Sequence, residues 1–182
     1  MDGDPVVGDD SRPPVAARAQ PARTTAEPGP EAGEFPPSSP PGWPAPPGWD
    51  RYLPVERLGA GGMGVVFKAW DVHLKRHVAL KFLSADTNEA APRFLREAQA
   101  QARVDHPGIC KVYEVGEVGG CRFIAMQLIA GRALGSLAEE LTLEQRVLVL
   151  AEVAEAVHAA HRSGLIHRDL KPANIMVERA ED

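Results

Sequence analysis

The sequence has few cysteines, no long apolar run and no excess of basic residues. Its 182 residues include two cysteines, Cys110 and Cys121, and no CxxC pair. We therefore expect free thiols in a reducing cytosol, with a disulfide as the alternative. No apolar run approaches the roughly 20 residues that a bilayer span needs. The acidic start, MDGDPVVGDD, also lacks the positive region of a signal peptide.

The charge balance excludes further classes of protein. The formal net charge is −5 at pH 7, from 25 acidic and 20 basic residues. This balance does not predict a basic surface that would bind nucleic acid or an acidic membrane. We expect a soluble, cytoplasmic chain that binds no nucleic acid. An apolar content of 44% is enough for one domain or a large part of one.

Proline is concentrated near the N-terminus, where residues 1–48 hold 13 of the 17 prolines. Such a stretch buries too little apolar surface to offset the chain entropy lost on folding. It is predicted to be a disordered Pro/Gly/Ala-rich tail with polyproline character. The segment Pro36–Pro47 could dock on an aromatic groove of a partner protein, and a plain linker is the alternative.

A glycine-rich stretch, LGAGGMGVVFKAW, follows a predicted first strand at Val55–Leu58, which Pro54 begins. Its glycines fit the pattern G-x-G-x-x-G-x-V. Glycine lets the loop fold tightly and lets backbone N–H groups approach phosphate oxygens. The stretch lies between two strand-like runs, and this position argues against a dinucleotide-binding fold. An ordinary glycine-rich hairpin is the alternative.

Lys81 lies near the end of the predicted third strand, His77–Phe82, which contains V-A-L-K. An ammonium in an apolar strand is costly to bury unless charges meet it, so Lys81 needs partners. Glu97 lies sixteen residues further on in a predicted helix, PRFLREAQAQAR, and would supply one. A solvated surface glutamate is the alternative for Glu97.

Further strands are predicted at Ile109–Val115 and Cys121–Leu128. A long helix is predicted to begin at a capping box of Thr142 and Gln145 and to end near Arg162. Gly164 then suits the C′ position. The apolar series that carries this helix is Leu143, Val147, Leu150, Val153, Ala154 and Val157.

The stretch Ile166–Val177, IHRDLKPANIMV, places Asp169, Lys171 and Asn174 in one short loop. A carboxylate, an ammonium and an amide at this spacing suit phosphoryl transfer, which depends on positioning and charge neutralisation. Here the sequence resembles the protein serine/threonine kinases, particularly the bacterial ones that look like their eukaryotic counterparts. The stretch matches the family's H-R-D-L-x-x-x-N catalytic loop. Lys171, two residues after Asp169, is the serine/threonine version of that loop.

The resemblance implies an α+β, two-lobed protein-kinase-like fold that binds ATP and Mg²⁺ and acts on protein Ser/Thr hydroxyls. It implies catalytic roles for Asp169, Lys171, Lys81 and Glu97, and Mg²⁺ binding by Asn174. Met126 would be the gatekeeper, and the hinge would meet the adenine ring through its backbone. The residues expected to contact the nucleotide are Leu58, Gly59, Ala60, Gly61, Gly62, Met63, Gly64, Val65, Val66, Ala79, Lys81, Met126, Gln127, Leu128 and Ile129.

The resemblance covers a partial kinase domain at residues 52–182. It predicts a five-stranded antiparallel first lobe with one helix at 52–128, a hinge at 127–131 and an incomplete helical second lobe at 132–182. The sequence contains no D-F-G, so we expect a fragment of a longer protein that is inactive alone, with a genuine short product as the alternative. Many relatives continue into a transmembrane segment, so membrane attachment would need a segment that these residues do not contain.

Two other functions stay open at this point. One is a non-catalytic, kinase-like nucleotide-binding or scaffold protein, and the other is a small-molecule phosphotransferase of the same fold. We also expect the apolar face of the long helix to be exposed, which predicts poor solubility or a molten second lobe for the chain alone.

Overall fold

The computed structural model describes residues 40–61, 64–83, 96 and 98–178. Strands β1 to β5 form the first part of the structure, and a smaller, mainly helical part follows. The strands are β1 Tyr52–Gly61, β2 Gly64–Asp71, β3 Arg76–Leu83, β4 Val112–Val118, β5 Cys121–Gln127, β6 Gly131–Ala133 and β7 Met176–Glu178. The helices are α1 Leu134–Leu137, α2 Leu143–Arg162 and a 3₁₀ helix at Pro172–Asn174.

The first five strands form one antiparallel sheet in the order β1-β2-β3-β5-β4. Helical residues at 98–101 follow β3 in the chain. The predicted α+β architecture, with a five-stranded antiparallel first lobe, is therefore confirmed. The strands β6 and β7 form a second, two-stranded sheet beside the helical part.

Two strand predictions differ from the structure. Strand β1 runs from Tyr52 to Gly61, so Pro54 lies inside it and not at its start. An edge strand tolerates a missing N–H, and the pairing register shifts directly after Pro54. Strand β4 begins at Val112 and not at Ile109, because a turn closed by the Ile109 N–H and the His106 carbonyl comes first.

Two faces of the five-stranded sheet differ in character. One face forms the main hydrophobic core, and its strand side chains are almost fully buried. Its members are Tyr52, Phe67, Ala69, Val78, Leu80, Phe82, Phe123 and Ala125. Because side chains alternate along a strand, the intervening residues, Lys81 among them, lie on the opposite face.

The segment just before β1 covers the core face. The prediction of a disordered tail through residue 48 was wrong for residues 40–48, and residues 1–39 lie outside the described part of the chain. Trp43, Ala45 and Trp49 pack against the core cluster. The physical reason is that two indole rings bury enough apolar surface to offset the ordering of a short proline-rich segment.

Helix α2 begins and ends as predicted. The Gln145 N–H donates to Thr142 Oγ1 (3.2 Å), and the Thr142 N–H donates to Gln145 Oε1 (2.9 Å), so the capping box is present. At the other end Gly164 has a φ of +77°. The N–H of Leu165 then reaches back to the Ala160 carbonyl at 2.9 Å.

Helix α2 carries two apolar stripes, and one of them packs. Val149, Ala156 and Ala160 are buried, and Val149 packs with Leu134, Leu137, Leu141 and Val177. Of the predicted apolar series, Leu143, Val147 and Leu150 are exposed, as expected, whereas Val153 packs against the buried cluster. The two stripes are offset by six residues, which places them roughly 120° apart around the helix.

Within the described part of the chain, no helix is both long and apolar enough to cross a bilayer. Both cysteines are free and half-buried. Cys110 lies in the turn before β4 and not in a strand. Burial raises the pKa of the Cys110 thiol to about 11, so this side chain is protonated at neutral pH.

Candidate functional site

Strand register gathers four of the predicted nucleotide-contacting residues on one face of the sheet. Val66 on β2 lies opposite Lys81 on β3, and Ala79 lies opposite Met126 on β5. Ala79 and Lys81 are two residues apart, so their side chains lie on the same face. This is the face opposite the hydrophobic core, and it is called the cleft face below.

The glycine-rich turn joins β1 to β2 at one end of the sheet. Gly59 pairs with Val66, Ala60 with Val65, and Gly61 with Gly64. A Cβ built on Gly59 or Gly61 would meet no atom within 4 Å. These two glycines therefore leave open space where a ligand's phosphates could approach the backbone. Leu58 precedes them and is about half exposed.

Gly64 is needed for a different reason. Its φ is +132°, and a Cβ at this position would lie 1.9 Å from the Phe82 carbonyl oxygen on β3. Only glycine fits so close an approach of β2 to β3. Two predicted contact residues, Gly62 and Met63, lie outside the described residues.

Lys81 is a partly buried cation on the cleft face. Desolvation lowers the pKa of Lys81, and the negative charge of Asp169 partly offsets that shift. The charge of Asp169 therefore acts on the lysine of β3, although the two residues are 88 positions apart in the sequence. Glu97 lies outside the described residues, so its ion pair with Lys81 stays a prediction.

The predicted catalytic residues of the second part form a compact cluster. Lys171 Nζ lies 2.9 Å from Asp169 Oδ2. Asn174 Nδ2 donates to Asp169 Oδ2 (3.0 Å) and to the Asp169 carbonyl (2.7 Å). The hydrogen bonds from Lys171 and then Asn174 lower the pKa of Asp169. Asp169 is therefore a carboxylate at neutral pH, held in place by the two residues that share its loop.

Local backbone structure explains this geometry. Pro172 begins the 3₁₀ helix, and the Asn174 N–H closes its turn on the Lys171 carbonyl at 2.8 Å. This turn brings Asn174 back towards Asp169. On the other side, the non-glycine Arg168 has a φ of +61°. A left-handed arginine costs of order 1–3 kcal/mol and occurs mainly where surrounding contacts enforce it, often at functional sites.

The predicted hinge follows β5. The Gln127 N–H donates to the Lys111 carbonyl (2.8 Å), and Cys110 Sγ donates to the Gln127 carbonyl (3.6 Å). The main chain of Gln127 could therefore contact adenine only by accepting a hydrogen bond at its carbonyl oxygen. Further along, the Ile129 carbonyl accepts the Gly131 N–H at 3.0 Å. The main chain around Leu128 then leads into the helical part.

A cavity of about 240 Å³ lies beside this hinge. Gln127, Ile129 and Asn174 contribute to its lining, as do the buried residues Val149 and Ala156 of α2. Among the described residues, neither Lys81 nor the glycines at 59, 61 and 64 contribute to its lining. The cavity therefore lies on the side of the site that Gln127 and Asn174 form, and Lys81 does not line it.

Few of the described side chains could act as ligands of a Mg²⁺ ion. Among the described residues, no group of three or more His, Cys, Asp or Glu side chains is placed to hold a metal ion. The amide nitrogen of Asn174 donates to Asp169. The amide oxygen of Asn174 is therefore the atom that could bind Mg²⁺. Mg²⁺ is commonly held by one or two protein oxygens together with substrate phosphates, and one amide oxygen fits that pattern.

Sequence reasoning missed one group of residues close to this site. Trp43 and Trp49 pack behind the strands that carry Lys81 and the glycines. The available signal was the repeated P-P-G-W, at Pro40–Trp43 and again at Pro46–Trp49. A proline followed by glycine predicts a tight turn, and its repetition before a large aromatic residue indicates structure.

Comparisons with known proteins agree with this geometry. The family model described as the protein kinase domain matches residues 52–182. The serine/threonine-protein kinase PknJ of Mycobacterium tuberculosis is 45% identical over 132 residues, which are 69% of this chain and 22% of PknJ. PknB of the same organism is 40% identical over 138 residues, 70% of this chain and 22% of PknB.

A solved structure shows the same likeness. The crystal structure of the M. tuberculosis PknI kinase domain superposes with a TM-score of 0.63 at 35% sequence identity, over 71% of this chain and 55% of that one. The chain spans about a fifth of the length of the curated relatives named above. From the family match and these relatives, the chain belongs to the protein kinase domain family, in its bacterial, eukaryotic-like serine/threonine branch.

Proposed function

We propose that this chain forms the nucleotide-binding lobe and the catalytic loop of a serine/threonine protein kinase. The observation that carries the proposal is the position of Lys81 on the cleft face together with the hydrogen-bonded loop of Asp169, whose negative charge acts on Lys81. One residue comes from the sheet and the other from the loop after α2. A phosphate group between them would meet a cation on one side and a hydroxyl-orienting carboxylate on the other.

Each residue has a separate task in the proposed reaction. Gly59 and Gly61 leave room for the phosphates, and Lys81 neutralises the charge of the α and β groups. The substrate hydroxyl oxygen forms a bond to the γ-phosphorus while the bond to the β-phosphate oxygen breaks, and ADP leaves. The hydroxyl proton passes to Asp169. Lys171 meets the charge of the transferred group.

The low pKa of Asp169 fits this role. A carboxylate held ionised by Lys171 and Asn174 is a weak base, and it orients the hydroxyl before the proton moves. Phosphoryl transfer proceeds through a loose transition state, in which the nucleophile needs little prior deprotonation. Bound Mg²⁺ would neutralise phosphate charge, with Asn174 as its one ligand among the residues proposed here.

The proposal has two experimental arms. The first measures MgATP binding to the 182-residue chain by calorimetry. We expect Lys81→Met to weaken binding at least tenfold, because the phosphates lose their cation. Equal affinity of wild type and Lys81→Met would contradict the assigned phosphate contact.

The second arm measures transfer from ATP to a generic Ser/Thr protein substrate. It uses a protein in which this chain is followed by a D-F-G segment and an activation loop. Asp169→Asn should retain ATP binding and lower the transfer rate by about 10²–10⁴-fold, the usual contribution of a positioned acid–base group. ATP binding with no transfer in the wild type would favour a non-catalytic, nucleotide-binding scaffold instead.

Location in the cytoplasm, where ATP is available, is part of the same proposal. The substrate class rests on Lys171, whose position two residues after Asp169 matches the serine/threonine version of the loop. Phosphoamino-acid analysis of the labelled product would test that class directly. Phosphotyrosine as the main product would contradict it.

A further inference from the structure

The segment before β1 is built from two copies of one turn. In Pro40–Trp43 and in Pro46–Trp49, proline occupies the second position and glycine the third. The tryptophan N–H donates to the carbonyl of the first residue, at 3.0 Å for Trp43 and 3.3 Å for Trp49. Gly42 and Gly48 have φ values of +81° and +85°. These are the features of a type II turn, and each copy ends on an indole ring.

Both indole rings converge on one residue of β3. Trp43 lies edge-on to Phe82, with ring centroids 5.2 Å apart, and Trp49 contacts the same ring at 6.1 Å. Trp43 also contacts Phe67 at 5.0 Å, and Trp49 contacts Phe123 at 5.1 Å. Residues 40–50 are called the tryptophan strap below. The strap therefore spans β2, β3 and β5 across the core face.

Further contacts hold the strap along its length. Cys121 Sγ, at the start of β5, lies 3.7 Å from the Pro44 carbonyl. Gly119 lies so close to Pro46 that a Cβ there would be 3.0 Å from Pro46 Cδ. The β4–β5 turn and β5 thus hold the middle of the strap, and the indole rings hold its two ends.

Phe82 links the strap to the nucleotide site. It directly follows Lys81, whose side chain lies on the cleft face. The Phe82 carbonyl is also the group against which Gly64, the last glycine of the glycine-rich turn, packs. One residue is therefore fixed by the strap through its ring and contacts the glycine-rich turn through its backbone.

We propose that the tryptophan strap is a positioning element of the nucleotide site, with Trp43 and Trp49 acting through Phe82 to hold Lys81 and Gly64 in their binding geometry. This inference rests on the proposed function, because it concerns the same site. The strap touches no nucleotide, so Trp43 and Trp49 are positioning residues. Coupling of this kind is reciprocal: a strap that raises ATP affinity is itself held more firmly when ATP is bound.

The first test measures MgATP affinity of the 182-residue chain and of three variants by calorimetry. Trp43→Ala removes one of the two indole rings that contact Phe82 and should weaken binding about five- to tenfold, the lower end of the usual coupling between two sites. Trp43→Phe keeps an aromatic ring and should restore affinity to within about twofold. Trp70→Phe is the matched control, because Trp70 pairs with His77 at 5.0 Å and not with the strap.

A second variant, Gly48→Ala, distinguishes a loss of strap geometry from a general loss of folding. Gly48→Ala leaves every ring in place and meets no neighbouring atom, yet it strains a turn with φ of +85°. Its far-UV dichroism should match wild type, and its ATP affinity should fall in the same direction as that of Trp43→Ala. Unchanged affinity in Gly48→Ala and in folded Trp43→Ala overturns the inference.

The third readout is spectroscopic. In the Trp70→Phe background, Trp43 and Trp49 are the only tryptophans, so indole fluorescence reports the strap alone. Saturating MgATP should reduce acrylamide quenching of this fluorescence, and quenching that ATP leaves unchanged argues against the coupling. Failure of the wild-type chain to bind ATP would overturn the proposed function and this inference together. Wild-type binding with unaffected strap variants would overturn only the inference.

Discussion

Lys81 shows how one residue can lower stability in the same charged form that the proposed phosphate contact requires. Desolvation lowers its pKa below the ordinary 10.5, although Asp169 opposes the shift. Between the two pKa values the unfolded chain binds more protons than the folded one. The cost of the buried charge is therefore fully present below the folded-state pKa and is relieved as pH rises towards 10.5. Phosphate binding requires the charged form, so affinity has the opposite dependence on pH.

This opposition gives a pH prediction. MgATP affinity should fall as pH rises through the lowered pKa of Lys81, by up to about tenfold per pH unit beyond it. Lys81→Arg keeps its charge over the same range, and its affinity should be much less dependent on pH. Calorimetric titrations between neutral and alkaline pH check both statements. Parallel pH profiles for wild type and Lys81→Arg would show that another group controls binding.

A second prediction concerns two glycines of the glycine-rich turn, Gly59 and Gly64. Gly64→Ala places a Cβ 1.9 Å from the Phe82 carbonyl at a φ of +132°, and it should cost at least about 2 kcal/mol of unfolding free energy. Gly59→Ala meets no atom within 4 Å, so its cost should stay near 0.5 kcal/mol. Its Cβ nevertheless enters the space proposed for phosphate, so ATP affinity should fall. Urea denaturation and calorimetry separate the two effects, and equal stability of the two variants would contradict the geometry.

At the scale of single elements, α2 offers a matched pair of substitutions. Val149 is 1% exposed and Val147 is 56% exposed, on the same helix two residues apart. Val149→Ala should cost about 2 kcal/mol, because two buried methyl groups and their contacts are lost. Val147→Ala should change stability by no more than about 0.5 kcal/mol. Urea unfolding followed at 222 nm checks the difference, and equal losses would show that the exposed stripe is packed.

The elements differ in how well sequence alone predicts them. The ends of α2 were predictable because capping chemistry is local, as with Thr142, Gln145 and Gly164. The start of β4 was not predictable, because a backbone hydrogen bond closes a turn at Ile109, and residue composition does not reveal that bond. The strap was missed because proline-rich composition outweighed two tryptophans whose partners, Phe67 and Phe82, come later in the chain. Non-local packing decided that case.

The candidate site was predictable to the extent that its motifs are contiguous. Asp169, Lys171 and Asn174 share one loop, and the structure brings them within hydrogen-bonding distance. The strap contacts Phe82, and Phe82 directly follows Lys81. This connection depends on which side chains of β3 lie on the core face and which lie on the cleft face. Register supplies that information, and register is set by pairing across the whole sheet.

At the scale of the whole molecule, aromatic residues are distributed unevenly between the two parts. All three tryptophans, both tyrosines and all five phenylalanines precede residue 128. Near-UV dichroism from the rings of the described residues therefore reports the sheet and the strap, and α2 contributes no aromatic ring to it. A sharp near-UV spectrum is expected even if the helical part is loosely packed. Hydrogen exchange of the α2 amides is the measurement that reports on that part.

Exposed apolar surface is concentrated in the helical part, and it gives the last prediction. Leu143, Val147 and Leu150 are 76%, 56% and 54% exposed on one stripe of α2. Such a patch favours association between copies of the chain at high concentration. A triple variant, Leu143→Glu, Val147→Lys and Leu150→Gln, removes the stripe without changing the net charge.

We expect the triple variant to be more monomeric than wild type in sedimentation velocity, at matched concentration and salt. Glu at 143 and Lys at 147 are spaced four residues apart in the favourable orientation, so helix content at 222 nm should be kept. The same three substitutions leave Val149 and its buried stripe untouched, which separates association from folding. Wild type and variant with the same sedimentation profile would mean that this stripe does not drive self-association. Leu148, Ile166, Leu170 and Met176, which are the other exposed large apolar residues described in this part, would then be the next residues to substitute.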